Sequence, residues 1–272
     1  MTSPLTSRHR PTPAAVLSLL LVALTGCASD GDSTFVSFYE GLTGNEWSPS
    51  PVQAVRMSFD AENADRRRKG ILYLSSASFG GEEEYVASYR LFVTDPDAGV
   101  RAAAAAALGK HGTVQDVILI TPLLSDEEPL VRWSAADALR KVHNPVAAEP
   151  LSLRLDPETE DDADARAAAA AALGQYPDRA VFSRLVTALE DSSYTVVSNA
   201  HRSLVLLTGY DAGQDPRDWS NWAQTNPDLF AHQRPYTYTL YQLSPDWVDT
   251  YVTFWNNQDT PASPPRGIDE VK

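Results

Sequence analysis

An all-α solenoid of about five helical hairpins is the architecture this sequence predicts. Two observations carry the prediction: a nearly constant repeat interval, and one apolar stripe at helical spacing inside each unit. Positions 67, 101, 132, 166 and 197 are separated by 34, 31, 34 and 31 residues. Arg67, Arg101, Arg132 and Arg166 each have a leucine seven residues on, and Val197 takes the arginine's place ahead of Leu204. Self-similarity at this period marks stacked hairpins that bury their apolar faces against one another.

Taken in order, residues 1–26 read as an export leader. Arg8 and Arg10 precede an apolar run from Ala14 to Leu24, interrupted by Ser18 and too short for a comfortable membrane span. Leu24-Thr25-Gly26-Cys27 follows directly, and Cys27 is the only cysteine. The four residues resemble the lipobox of bacterial lipoproteins. That resemblance implies cleavage after Gly26, diacylation of the Cys27 sulfur and, usually, acylation of the new amino group. It places the protein on the bacterial cell envelope. Ala28-Ser29-Asp30 lacks an aspartate beside the cysteine, which under the familiar sorting rule favours the outer membrane, facing the periplasm. The other reading is an ordinary signal peptide with an incidental cysteine.

Of the 22 Lys+Arg the leader would take two and none of the 36 Asp+Glu, raising the acidic excess from 14 to 16. That balance excludes nucleic acid as a partner, since phosphate binding needs cationic neutralisation. It also leaves the lipid bilayer to be reached through the acyl chains on Cys27 rather than through basic residues. With one cysteine no intramolecular disulfide can form, so stability rests on packing. Residues 27–50 form the lipidated cysteine and a Ser/Gly/Asp/Pro-rich tether.

The repeat domain spans 51–208. Val131, Ala135, Ala138, Leu139 and Val142 recur on one helical face, and Val100, Ala104, Ala107 and Leu108 hold the same register. A shorter apolar helix precedes each of these, at about 85–93, 114–124, 146–155 and 179–189. Acidic turns join the two helices. Asp95, Asp126 and Asp191 each stand six residues before the repeat position, where a carboxylate can cap the helix or its turn. Pro96 and Pro129 suit turns or first-turn positions, and Gly109 and Gly174 suit helix ends. In the third full unit the turn is stretched to residues 156–164. Alanine runs at 102–107 and 167–172 favour helix and let neighbouring helices approach closely. A bulky residue at Ala135 is therefore expected to cost more than one at an outward-facing Asp137, overpacking typically costing about 1–3 kcal/mol.

The Asp-x-x-x-x-Val-Arg-x-x-Ala-Ala-x-x-Leu grammar resembles HEAT repeats, and the short period is similar to the alanine-rich subtype found in phycobilisome lyase proteins. The likeness covers 84–208 well and 52–83 weakly, and it stops near 210. It implies a right-handed superhelix used mostly for protein binding, with a polar ladder between repeats. The ladder positions it implies are Asp95 with Arg101, Asp126 with Arg132, and Asp156 with Arg166. Lyase activity does not transfer.

Residues 209–259 are expected to form an aromatic-rich C-terminal cap. Its Gly-x-x-x-x-x-Asp-Pro-x-x-Trp-x-x-Trp opening, from Gly209 to Trp222, resembles tails that follow HEAT-like repeats in exported bacterial proteins. Trp219 and Trp222 can share a helical face over the last hairpin; a peptide or glycan platform is the other reading. Tyr236-Thr237-Tyr238-Thr239-Leu240-Tyr241 alternates like a strand, and Trp247, Tyr251, Phe254 and Trp255 suggest a further helix at about 245–256. Residues 260–272 are expected to be a flexible tail.

No catalytic constellation emerges. His111, His143, His201 and His232 are too dispersed for a zinc motif, and His111 and His143 read as helix-end histidines facing terminal carbonyls. The acidic insertion 156–164 lacks the spaced ligands and central glycine of a calcium loop. The expectation is a non-enzymatic scaffold without metal or cofactor, binding an envelope protein through its concave face. Trp133, Asp137 and Arg140 are the candidate contact residues. The competing class is an envelope enzyme or enzyme accessory with a pocket between the repeats and the aromatic tail.

Overall fold

The computed structural model describes residues 49–239 and 262–268. The leader, Cys27, the tether to residue 48 and the helix expected at 245–256 lie outside the described residues. Eleven α-helices are found among those described. Each hairpin has a first helix, namely α1 (Pro51–Ser58), α3 (Glu83–Phe92), α5 (Val117–Ile120), α7 (Ala148–Leu153) and α9 (Arg179–Thr187). Each first helix is followed by a second: α2 (Ala64–Ser76), α4 (Ala98–His111), α6 (Pro129–Leu139), α8 (Ala163–Leu173) and α10 (Tyr194–Thr208). Helix α11 (Pro216–Thr225) closes the row. The chain is an all-α solenoid of five hairpins.

The second helices stack side by side, α2 on α4, α4 on α6, α6 on α8 and α8 on α10. Leu108, Leu139, Leu173 and Leu204, the leucines seven residues after each repeat position, are all fully buried. So are Val100, Val131 and Val196, one residue before it, while Ala165 holds the equivalent place in α8. Ala135 is fully buried as well. Alanine and glycine set the spacing of the row. A Cβ on Gly109 would lie 2.7 Å from both Cα and Cβ of Ala138, so α4 and α6 touch through their backbones. Gly109 is therefore a contact residue inside α4 rather than the end of it; the helix runs on to His111.

The first helices are shorter and less regular than the apolar pattern suggests. Around α5 the stretch from Val114 to Ser125 has only four α-helical residues, flanked by 3₁₀ turns at Val114–Asp116 and Thr121–Ser125. Pro122 has no N–H to donate and its ring crowds the preceding turn, which stops the helix there. Three of the five second helices, α2, α4 and α8, are capped by Asn63, Asp97 and Asp162, which accept N–H bonds from Arg66, Val100 and Ala165 at 3.0, 3.0 and 2.8 Å.

After α11 the chain turns back along the solenoid. Arg234 N–H donates to the Leu206 carbonyl near the end of α10, and the Tyr236 hydroxyl donates to the Ala171 carbonyl near the end of α8, at 2.8 and 2.7 Å. Strand β1 (Tyr238–Thr239) then pairs antiparallel with β2 (Ala262–Ser263), the part of the 236–241 alternation that is realised. Beyond β2, Arg266 reaches the ends of α4 and α6. The expectation of a free tail from Thr260 is thereby corrected for residues 262–268. Helix C-termini leave carbonyls without partners, and Arg266 supplies donors to those of Gly109 and Lys110 and a second donor to that of Leu108, which also accepts the Gly112 N–H.

Candidate functional site

The ladder is the most ordered polar feature. Each repeat arginine forms a two-pronged ion pair with a carboxylate of the next hairpin and reaches back to its own turn only through backbone carbonyls, which corrects the expected pairing of Asp95 with Arg101 and of Asp126 with Arg132. Arg101 donates to Asp126 at 2.8 and 2.7 Å and to the Asp95 and Pro96 carbonyls at 2.9 and 3.1 Å. Arg67 pairs likewise with Asp95, at 2.9 and 2.8 Å. Arg166 pairs with Asp191 at 2.7 and 3.1 Å. Each turn carboxylate also accepts an N–H two residues on: Asp95 from Asp97, Asp126 from Glu128 and Asp191 from Ser193. One side chain thus shapes the turn and receives the neighbouring repeat.

Asp156 is not a ladder residue, which corrects the expectation for the third rung. Its carboxylate only accepts the Glu158 N–H. Glu160 takes the role, bound by Arg132 through two bonds of 2.7 Å and accepting the Asp162 N–H at 3.0 Å. Its side chain is fully buried, so the acidic insertion is not simply a solvated loop. A parallel pair lies between first-helix segments: Arg90 donates to Asp116 at 2.6 and 3.2 Å. Spacing within the second helices gave no sign of it.

Of the three candidate contact residues, only Trp133 stands free. Asp137 binds Arg140 at 2.7 Å and Lys141 at 2.6 Å, so these charges largely satisfy one another. Asp137 is accordingly not the outward-facing side chain the periodicity suggests. Trp133, 41% exposed, occupies the place held in the flanking repeats by Ala102 and Ala167, both buried. With Pro129, Leu130, Asp162 and Asp164 it lines a cleft of about 160 Å³ between the N-terminal ends of α6 and α8. Leu130 is 54% exposed. The cleft thus offers an apolar floor and two carboxylates. A second hollow, lined by residues including Asp156, Arg184, Glu190 and Asp191, lies between α7 and α9. Both sit between repeats rather than at the aromatic cap.

His111 and His143 reach the neighbouring repeats, His111 at a helix-end carbonyl and His143 at a side chain. His111 contacts the Ser75 carbonyl at the end of α2 through Nε2 at 2.7 Å, beside Lys110, which donates to the same oxygen. His143 contacts Gln175 Oε1 at 3.1 Å and stacks on Tyr176. Burial holds both below the usual histidine pKa. At the cap, Trp219 is fully buried and its indole N–H donates to the Gly213 carbonyl at 2.7 Å. Tyr210 and Trp222 stack on each other with ring centroids 5.2 Å apart, which covers one face of each ring.

Comparison with known families agrees with this geometry. A family model of HEAT repeats matches residues 88–161, and the PBS lyase HEAT-like repeat matches residues 165–191. Compared with curated protein sequences, the chain has no match. HEAT repeats generally mediate protein–protein interaction. Residues 88–161 and 165–191, joined through the arginine ladder, are thus similar to HEAT-like repeats.

Proposed function

We propose that this protein is a non-catalytic scaffold of the bacterial cell envelope, held to the membrane by acylated Cys27, with the outer membrane, facing the periplasm, as its location. It binds an envelope protein through the cleft between α6 and α8. The observation that carries this reading is Trp133, an exposed indole where the neighbouring repeats have alanine, set beside Leu130 and the carboxylates of Asp162 and Asp164. Exposed tryptophan over a small apolar cleft is the usual form of an interaction anchor. The acidic rim suits a partner that brings an apolar side chain flanked by lysine or arginine.

The test is affinity isolation of the tagged full chain from detergent-solubilised envelopes, beside Cys27→Ala and Trp133→Ala, with proteins identified by mass spectrometry. Expected is a partner whose recovery falls about tenfold or more in Trp133→Ala, a loss on the scale of a hot-spot truncation. The variant's helicity and melting temperature should match the parent's. Asp137→Ala should weaken recovery less, because its carboxylate is engaged by Arg140 and Lys141. Equal recovery with and without the indole would sink the cleft as the binding site.

A further inference from the structure

A second site lies at the C-terminal ends of α4 and α6. Arg266 inserts its guanidinium at the C-terminal end of α4, donating to the carbonyls of Leu108 (3.3 Å), Gly109 (2.6 Å) and Lys110. Its backbone pairs on both sides of Val142 in a parallel bridge. Arg266 N–H donates to Lys141 O at 3.1 Å, and His143 N–H donates to Arg266 O at 2.7 Å. Gly267 follows with φ +88°, a conformation side chains resist, and a Cβ there would lie 2.5 Å from Val114 Cγ2 and 2.8 Å from the His143 carbonyl.

We infer that the edge formed by the ends of α4 and α6 is a recognition site for an extended Arg-Gly segment, filled here by the chain's own Pro264-Pro265-Arg266-Gly267 and open to such a segment from a partner protein when that strap is displaced. Three features argue for recognition rather than simple docking. The solenoid side of the contact is almost wholly main chain, three helix-end carbonyls plus one carbonyl and one N–H beside Val142, which is the set an extended peptide satisfies. The arginine is read by its forked donors and the following residue by lack of a side chain, so the site is selective. The strap is also held more weakly than the internal arginines. Arg67, Arg101, Arg132 and Arg166 each face a carboxylate within 3.0 Å. Among the described residues none faces Arg266, whose Nε is buried without a partner. Burial lowers the pKa of Arg266, opposed only in part by the more distant Tyr238 and Asp116. Covalent linkage offsets this weakness, since a tethered segment has an effective concentration on the order of millimolar.

The test uses the full chain and a fluorescein-labelled peptide of residues 262–268, read by fluorescence polarisation. Gly267→Val in the chain should release the strap without altering the helix ends it covers. Expected is that this variant binds the peptide about tenfold or more tightly than the parent chain, whose strap competes at its high effective concentration. Peptides carrying Arg266→Ala or Gly267→Val should bind neither. Arg266→Ala in the chain, releasing the strap by a different contact, should reproduce the gain. Equal binding to parent and both strap variants would overturn the inference, as would binding that ignores the peptide's arginine. So would loss of helicity in both variants, which would make the strap part of the folding unit.

Discussion

Arg166→Ala is expected to cost about 3–5 kcal/mol of stability, the range for removing one partner of a buried ion pair. Arg166 and Asp191 are 6% and 2% exposed in their side chains, the most enclosed arginine–aspartate rung of the ladder. Truncation strands the Asp191 carboxylate with the Ser193 N–H alone and frees the Glu160 and Asp161 carbonyls that Arg166 binds at 2.9 and 3.1 Å. Because hairpins in a solenoid contact only their neighbours, the loss falls on the junction between α8 and the last hairpin. Urea denaturation followed by circular dichroism would measure it. Arg66→Ala is the internal control: that pair with Asp60 is 57% and 19% exposed, solvent-screened, and should cost far less than Arg166→Ala. Comparable costs for the two would refute the ladder as a source of stability.

The same rungs give the protein an acid limb of determined sign. Burial opposes ionisation of Asp126 and Asp191, but Arg101 and Arg166, with the turn N–H bonds, outweigh it and hold both below the ordinary 3.8. A carboxyl depressed on folding contributes stability that is complete above its unfolded pKa and lost as pH falls through the folded one. His111 and His143, lowered from 6.5 chiefly by burial, act in the same direction at higher pH. Their neutral forms favour the fold above about 6.5, and that contribution declines as pH drops below it. Thermal melts should therefore show a shallow loss beginning near pH 6.5 and a steeper one below about pH 4. In Arg166→Ala the acid limb should flatten, since Asp191 no longer has a guanidinium to lose.

The repeat period, the leucine seven residues on and the acidic turns were legible because each is local and recurs. The third rung shows how far that legibility extends. Reading by residue type pointed to Asp156, the first aspartate of the stretched turn. Reading by offset would have found Glu160, six residues before Arg166 as Asp95 is before Arg101 and Asp126 before Arg132. Backbone geometry at the turn fixes that offset, and a glutamate's extra methylene is easily accommodated. Arg67, weak as a repeat by sequence, proved a full rung because its partner Asp95 belongs to the next unit. Asp137 stands three residues before Arg140 and four before Lys141, so their mutual pairing was itself legible from helical spacing, and it sets both apart from Trp133. Arg266 carried no local signal at all. Its side-chain contacts lie more than 150 residues away and consist of main-chain groups whose identity the sequence does not display.

Trp219→Ala should be the other severe change, costing about 3–5 kcal/mol as large-to-small truncations of buried aromatics do. The indole is fully buried and meets Phe182 of α9, His201 of α10, Tyr210 and Trp222, all with ring centroids within 6.4 Å. Its N–H donates to Gly213 O, so truncation also leaves that carbonyl short of a partner. Trp222→Ala, at a partly exposed position, should cost distinctly less. Hydrogen exchange would show where the loss falls: faster exchange in α10 and α11, with α4 and α6 little changed. Uniform acceleration would mean that the aromatic cluster supports the whole solenoid rather than its end. The local outcome follows from how the repeat series stops. Val197 stands where an arginine would reach onward, and among the described residues no further hairpin offers it a carboxylate. An arginine there would have been left to bind water at the last open face. The chain instead covers that face with Trp219, replacing the directional ion pairs of the internal rungs with packed aromatic surface where a terminal repeat must meet solvent.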